Sequence, residues 1–344
     1  MNRRQFLIAS ALAPCLREVR AARAPALPRL ELITTSDYQW TGVAVSKADR
    51  VFVSFPTISE FPSYHVAELK GGVPVRFLDR EANSSFRSVT GIVVDSEDRL
   101  WALDSGRLEG MSARKAGARL VCIDLRRNQV KSVHPIPPSL LVDASDLSDF
   151  RIDTARHCAY ISDAGAGGLL VIDLKTDRGW LALDRRTPET RANARFVAMP
   201  AGNVVPASPH IDGVTLSEDG RSLYFTPLIE TRIFSIPTQC LADDRLTSEQ
   251  RRREIRTIAD NIHPSAGMVV RKGVIYMGDL QNSKLLAYSV ASRRARTLEY
   301  PTRFHWADDF ALDARGRIWF TESQNDIPVS RRRPYRLFRL TPVS

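Results

Sequence analysis

Residues 91–106 read GIVVDSEDRLWALDSG: an apolar strand, a short polar turn carrying Asp and Arg, then a second apolar strand rich in aromatics. Alternating apolar positions on both sides of a turn make a β-hairpin. The same phrase recurs at 42–56 (GVAVSKADRVFVSFP), 149–165 (DFRIDTARHCAYISDAG), 213–228 (GVTLSEDGRSLYFTPL), 267–281 (GMVVRKGVIYMGDLQ) and 309–323 (DFALDARGRIWFTES). Successive copies start 49, 58, 64, 54 and 42 residues apart. A third strand follows each copy: 65–69, 120–125, 169–174, 232–236, 284–290 and 335–340. A fourth, weaker strand is expected after these, for example at 73–78 and 295–300. Four-stranded units at this spacing are propeller blades, so the pattern predicts an all-β, six-bladed β-propeller. The last copy runs out of chain after its third strand. The unassigned stretch 30–35 (LELITT) is expected to supply the missing outer strand and close the ring.

The rest of the chain fits one domain, residues 25–344. With 344 residues and 43% apolar content the chain can bury a large core. Residues 187–209 read as a long loop over one face, and 241–257 as a short polar helix inserted after the third strand of the fourth blade.

Ahead of this domain, residues 1–24 have the pattern of a removable signal peptide. Asn2-Arg3-Arg4-Gln5-Phe6-Leu7 leads into an apolar stretch ending at Leu16, then Ala22-Arg23-Ala24. The Arg-Arg pair resembles a twin-arginine export signal. It implies a periplasmic or secreted protein whose partner during export is the twin-arginine translocase, with no stable membrane insertion, because the apolar stretch is too short to span. The formal charge is +10; setting aside residues 1–24 removes five arginines and one glutamate and leaves +6. The basic residues are scattered, and no nucleic-acid partner is expected. Outside the signal, Cys122, Cys158 and Cys240 are three in number and widely spaced. They form neither a disulfide framework nor a zinc site.

Aligning the copies places Phe55, Asp104, Asp163, Pro227, Asp279 and Glu322 at the ends of the second strands. The lead-ins to the first strands carry Trp40 and Thr41, Thr90, Asp146, His210 with Asp212, His263 with Ser265, and His305 through Asp309. In a propeller these two sets meet at one mouth of the central channel. A pit ringed by carboxylates attracts cations. The expected ligand-binding set is Trp40, Thr41, Phe55, Thr90, Asp104, Asp163, Asp212, Asp279, Asp308 and Glu322. An organic ammonium would pair with an acid and stack on an aromatic ring. A hard ion such as Ca²⁺ would need six or more oxygens, drawn from Asp212, Asp104 and Asp163. The plainer role for Asp104 and Asp163 is to cap the turn after the strand. No G-x-S-x-G, H-E-x-x-H, P-loop or G-x-G-x-x-G motif is present. No catalytic residue is assigned.

Several phrases resemble the major royal jelly protein/Yellow family. They are Trp40–Val45 leading to Val51–Pro56, Val66–Leu69, Arg99–Gly106, Ala159–Asp163 and Leu223–Leu228. The similarity runs from about Leu30 to the end. It implies a secreted six-bladed propeller with a small-molecule site in its channel, some members binding biogenic amines and some being linked to quinone conversion in pigment chemistry. The chain lacks the paired cysteines of eukaryotic members, and Phe320–Gln324 only approximates a motif where they carry Asn. An alternative resemblance is to the gluconolactonase/SMP-30 class, Ca²⁺-dependent lactone hydrolases of the same blade number. That pattern has Glu where Trp40-Thr41 stands, and Asn where Asp212 stands. A third alternative is a non-enzymatic propeller that binds proteins.

Overall fold

A computed structural model describes residues 26–57, 62–108, 110–193, 209–332 and 334–342, with backbone alone for 196–198 and 204–206. The expected signal peptide at 1–24 lies outside the described residues. The chain forms six four-stranded antiparallel sheets arranged as a six-bladed propeller. In blade 2, Val89–Val94, Arg99–Asp104, Arg119–Asp124 and Gln129–Pro135 run from the axis outward, in chain order. Blades 1, 3, 4 and 5 repeat this order.

Blade 6 closes the ring as the sequence predicts. Its first three strands are Ala307–Leu312, Ile318–Glu322 and Tyr335–Thr341, and its outer strand is Arg29–Ser36 from the other end of the domain. Leu30 faces Leu340 and Ser36 faces Tyr335, with an irregularity between Leu32 and Thr34. Because the outer strand comes from the start of the domain, the last blade cannot peel away without breaking a long-range ladder.

The repeated phrase has a local cause. In blade 2 the turn aspartate, Asp95, accepts from the Glu97 and Arg99 amides with one oxygen. Its other oxygen takes Arg99 Nε and Trp101 Nε1, both at 2.7 Å. Asp313 does the same with Arg315, Arg317 and Trp319 in blade 6. The residue three positions on has a left-handed backbone, Asp98 (φ 62°) or Gly316 (φ 72°), as such a hairpin turn requires. One carboxylate thus fixes the turn, the basic residue and the tryptophan together. This is why blades 2 and 6 share the same Asp, Arg and Trp spacing.

Burial between the blades supplies the bulk of the stability. Separate apolar clusters fill the six blade-to-blade interfaces. Between blades 5 and 6, Phe320 stacks on Phe310 and Phe338 at centroid distances of 5.4 and 5.2 Å, with Phe304 edge-on. Each such ring, fully buried, is worth about 1.5–3 kcal/mol. At the axis the strands crowd. A Cβ on Gly213 would sit 2.0 Å from the Ala266 carbonyl oxygen, and one on Gly267 2.1 Å from that of Asp308.

Two insertions differ in detail from the sequence reading. The 187–209 stretch carries a small hairpin, Phe196–Ala198 with Val204–Pro206, rather than being strandless. The 241–257 stretch is not one helix. Two five-residue helices, Thr238–Ala242 and Ser248–Arg252, are separated at Asp243, whose backbone is extended, and the chain then returns as the outer strand Arg256–Ala259. The second helix starts because Thr247 and Gln250 form a reciprocal capping box. Arg251 is buried there and donates to the Cys240 carbonyl at 2.9 Å. Cys122, Cys158 and Cys240 are free thiols, and burial pushes Cys122 to about 11 and Cys158 to about 12. Among the described residues, no helix is long and apolar enough to cross a membrane.

Candidate functional site in the central channel

The first strand of each blade faces the axis, and four of the six repeat copies open with glycine. The other two open with aspartate, in Asp149-Phe150 and Asp309-Phe310. Each of these carboxylates accepts from its own following amide, at 2.7 Å for Phe150 and 2.8 Å for Phe310. Each then reaches across to the next blade. Asp149 takes the Val214 amide at 3.0 Å, and Asp309 takes the Val43 amide at 3.1 Å. Replacing the small residue at the axis with a carboxylate therefore ties neighbouring blades together and brings negative charge into the channel.

A cavity of about 180 Å³ opens here. Its polar walls carry Asp146, Asp149, Asp212, Asp308 and Asp309, together with Thr41, Thr90, Ser148 and Asn325, and Trp306 adds an aromatic face. Arg151 stands between two of the acids. Arg151 donates to Asp149 at 2.5 Å, lies 3.8 Å from Asp309, and donates to the Met268 carbonyl at 3.1 Å. Arg107 lies 3.5 Å from Asp146, so five carboxylates face two guanidiniums, and Asp212 and Asp308 have neither as an ion-pair partner among the described residues.

Crowding of like charge in a water-poor pit raises carboxylate pKa values. Burial, reinforced by the charges of Asp149 and Asp146, pushes Asp212 up to about 7, although the Ser148 hydroxyl donates to it. Burial and the neighbouring Asp149 push Asp309 to about 7 as well, against the pull of Arg151. Asp149 is raised by burial. Asp308 is raised well above the ordinary range by burial and by the charge of Asp212. Near neutral pH the cluster therefore holds protons that an arriving cation would displace.

Of the expected ligand set, Thr41, Thr90, Asp212 and Asp308 line this cavity. The other six do not. Trp40 and Phe55 are fully buried in the apolar cluster between blades 1 and 6. Asp104 accepts from the Ser88 amide at 2.9 Å and pairs with Arg119 at 3.1 Å. Asp163 accepts from the amides of Asp146 and Ala166 at 2.8 and 3.0 Å. Asp279 accepts from the Asn282 backbone amide at 3.0 Å and from the Asn282 side-chain amide, and lies 2.9 Å from the His263 ring. Glu322 holds Arg336 and the His305 amide. The carboxylates at the ends of the second strands thus cap turns and hold basic neighbours. The reason is geometric. The end of a second strand sits one layer out from the axis, where the next turn offers unpaired amides.

Asp149, which the sequence reading did not include, is marked by a usable signal: aspartate replaces the glycine that opens most copies. Asp146, Trp306 and Asp309 belong to the lead-in segments already singled out. Trp306 has φ 60°, an uncommon backbone for so large a residue, and its carbonyl accepts from Ser323 at 3.1 Å. His210, His263 and His305 do not line the cavity. His210 accepts from the Ala192 amide at 3.1 Å, and His305 pairs with Asp326 at 3.0 Å. Among the described residues, no three His, Cys, Asp or Glu side chains are grouped to hold a metal ion. Asp212, Asp104 and Asp163 have separate surroundings, so this donor set does not fit Ca²⁺ coordination.

A six-bladed propeller with an acidic pocket on its axis is the class that fold and site define. The family model described as major royal jelly protein matches residues 87–334, and the chain belongs to that family. Major royal jelly protein 3 of Apis mellifera is 26% identical over 229 residues, covering 62% of this chain and 41% of that protein. Major royal jelly protein 6 of the same organism is 25% identical over 265 residues, covering 72% and 58%. The chain thus spans about half the length of these curated relatives. Among solved structures, a gluconolactonase from Xanthomonas campestris superposes with a TM-score of 0.57 at 13% identity, covering 91% of this chain and 89% of that one. A calcium-binding regucalcin from Agrobacterium tumefaciens gives 0.56 at 12%, covering 92% and 94%. At this identity the likeness is one of fold.

Proposed function

We propose that this protein is an exported propeller that binds a compact organic cation, an aliphatic or single-ring amine, in its central channel. The observation that carries this reading is the set of five aspartates around one cavity against two arginines, Arg151 beside Asp149 and Asp309 and Arg107 beside Asp146. Trp306 supplies a face on which an ammonium or an aromatic ring can rest. Size limits the ligand. At about 180 Å³ the cavity falls below the roughly 300–1,000 Å³ of drug-sized pockets, and near the roughly 150 Å³ that admits benzene. Action on quinone or amine compounds would require a reacting group, and none is assigned. Export by the twin-arginine route, to the periplasm or beyond, rests on Arg3-Arg4 and the apolar stretch after them.

Calorimetric titration of the mature protein with tyramine at pH 6 and pH 8 tests the binding reading. Affinity should rise with pH, because the raised carboxylates lose their protons over this window and the cation then meets more negative charge. The heats should also depend on the buffer, reporting protons released on binding. Equal affinity at both pH values, or no heat at either, would refute a site built on these carboxylates.

A further inference from the structure

A second, larger concavity of about 620 Å³ lies at the seam where the ring closes. It is lined by Thr35 of the closing strand and by Arg303, His305, Arg331 and Arg336 of blade 6. Thr35 and Arg336 are cross-strand partners in the closing ladder, so the concavity straddles that ladder. Its charge is opposite to that of the channel. Arg336 is held by Glu322, through Nε at 2.5 Å and Nη2 at 2.6 Å, and donates to the Arg303 carbonyl at 2.8 Å. Those contacts occupy Nε and Nη2, and among the described residues Nη1 has no hydrogen-bond partner. The side chains of Arg303 and Arg331 make no hydrogen bond or ion pair with a described residue. His305 gives Nδ1 to Asp326, and that hydrogen bond raises its pKa, which favours an imidazolium. Glu322 and Asp326 offset Arg336 and His305, so the surplus is the guanidiniums of Arg303 and Arg331, which no described acid offsets.

An exposed arginine without a partner is ordinary on any surface. Three guanidiniums and an imidazole around one concavity, one of them braced by a fully buried glutamate, are a different matter. Guanidinium groups match oxyanions through paired N–H donors, and the volume suits a small organic molecule.

We propose that the closing seam is a binding site for a small oxyanion, a carboxylate- or phosphate-bearing molecule, held by Arg303, Arg331 and Arg336. It is separate from the amine reading of the channel and does not depend on it. Because the ligand would touch both the closing strand and blade 6, its binding would also tighten the ring. Mature protein is titrated with inorganic phosphate and, separately, with succinate, at constant ionic strength against chloride. The parent and an Arg303→Gln/Arg331→Gln variant are compared, and circular dichroism verifies that the variant is folded. At least one probe should bind the parent, the variant should bind it at least tenfold more weakly, and the thermal midpoint of the parent alone should rise with that probe. Which probe binds decides between a phosphate and a carboxylate headgroup. Heats for both probes equal to those of matched chloride, or undiminished affinity in the variant, would overturn the proposal.

Discussion

Asp212→Asn should make this protein more stable in alkali, and the size of the effect follows from the channel's electrostatics. Asp212 is 9% exposed and burial, with Asp149 and Asp146 nearby, lifts its pKa from 3.8 to about 7. A carboxylate whose folded pKa lies above its unfolded value binds its proton more tightly in the native state. Its contribution is therefore favourable at low pH and is lost as pH rises from about 4 towards 7. A shift of about three units corresponds to a ceiling of about 4 kcal/mol, at 1.36 kcal/mol per unit. The neighbouring aspartates share that cost, so the gain in the variant should fall between about 1 and 4 kcal/mol at pH 9. Asparagine keeps the shape, and its carbonyl can accept the Ser148 hydroxyl that Asp212 accepts now. At about 2 °C per kcal/mol for a chain of this size, the melting midpoint should rise by about 2–8 °C at pH 9. At pH 5 the native carboxyl keeps its proton but the unfolded one has largely lost it, so about a third of the effect is already present and the midpoint should move by only about 1–3 °C. Scanning calorimetry of both proteins across pH 5–9 measures this. A variant that is less stable at pH 9, or a difference that does not grow with pH, would show that the carboxylate is not held against its own charge. The same variant should bind tyramine more weakly at pH 8, the usual conflict between stability and a charged site.

Two further outcomes test the axis itself. Arg151→Met removes the one cation between Asp149 and Asp309; stranding buried carboxylates typically costs about 3–5 kcal/mol. Denaturant unfolding at pH 8 should show a loss of that order, shrinking at pH 5, and an unchanged midpoint would mean that water already compensates the pair. Gly213→Ala places a Cβ 2.0 Å from the Ala266 carbonyl oxygen. Forcing the two inner strands apart should cost at least about 1–3 kcal/mol, and a midpoint equal to that of the parent would contradict the close approach of blades 4 and 5.

How much of the site was legible in the sequence depends on what kind of contact each residue makes. Asp95 and Asp313 were readable, because their partners lie two to six residues away and the same local geometry occurs in blades 2 and 6. The roles of Asp104 and Asp163 were open between ligand contact and capping. Each accepts amides within the sequence neighbourhood of its own hairpin. The channel acids were harder. Thr41, Thr90, Asp212 and Asp308 could be placed at the mouth by aligning copies, but that alignment also swept in Trp40 and Phe55, which pack between blades instead. A one-residue step along a strand turns a side chain from the axis to a blade interface, and alignment of repeats does not resolve that step.

The sequence by itself determined the blade number, the strand order and the return of residues 30–35 to close the ring, because hydrophobic alternation and turn chemistry are local and were written six times. Only the tertiary structure decided which acids share a cavity. That arrangement depends on blades separated by more than 150 residues, such as those of Asp149 and Asp309, leaning on one arginine across the axis. Their raised pKa values come from mutual proximity and exclusion of water, neither of which any single repeat contains.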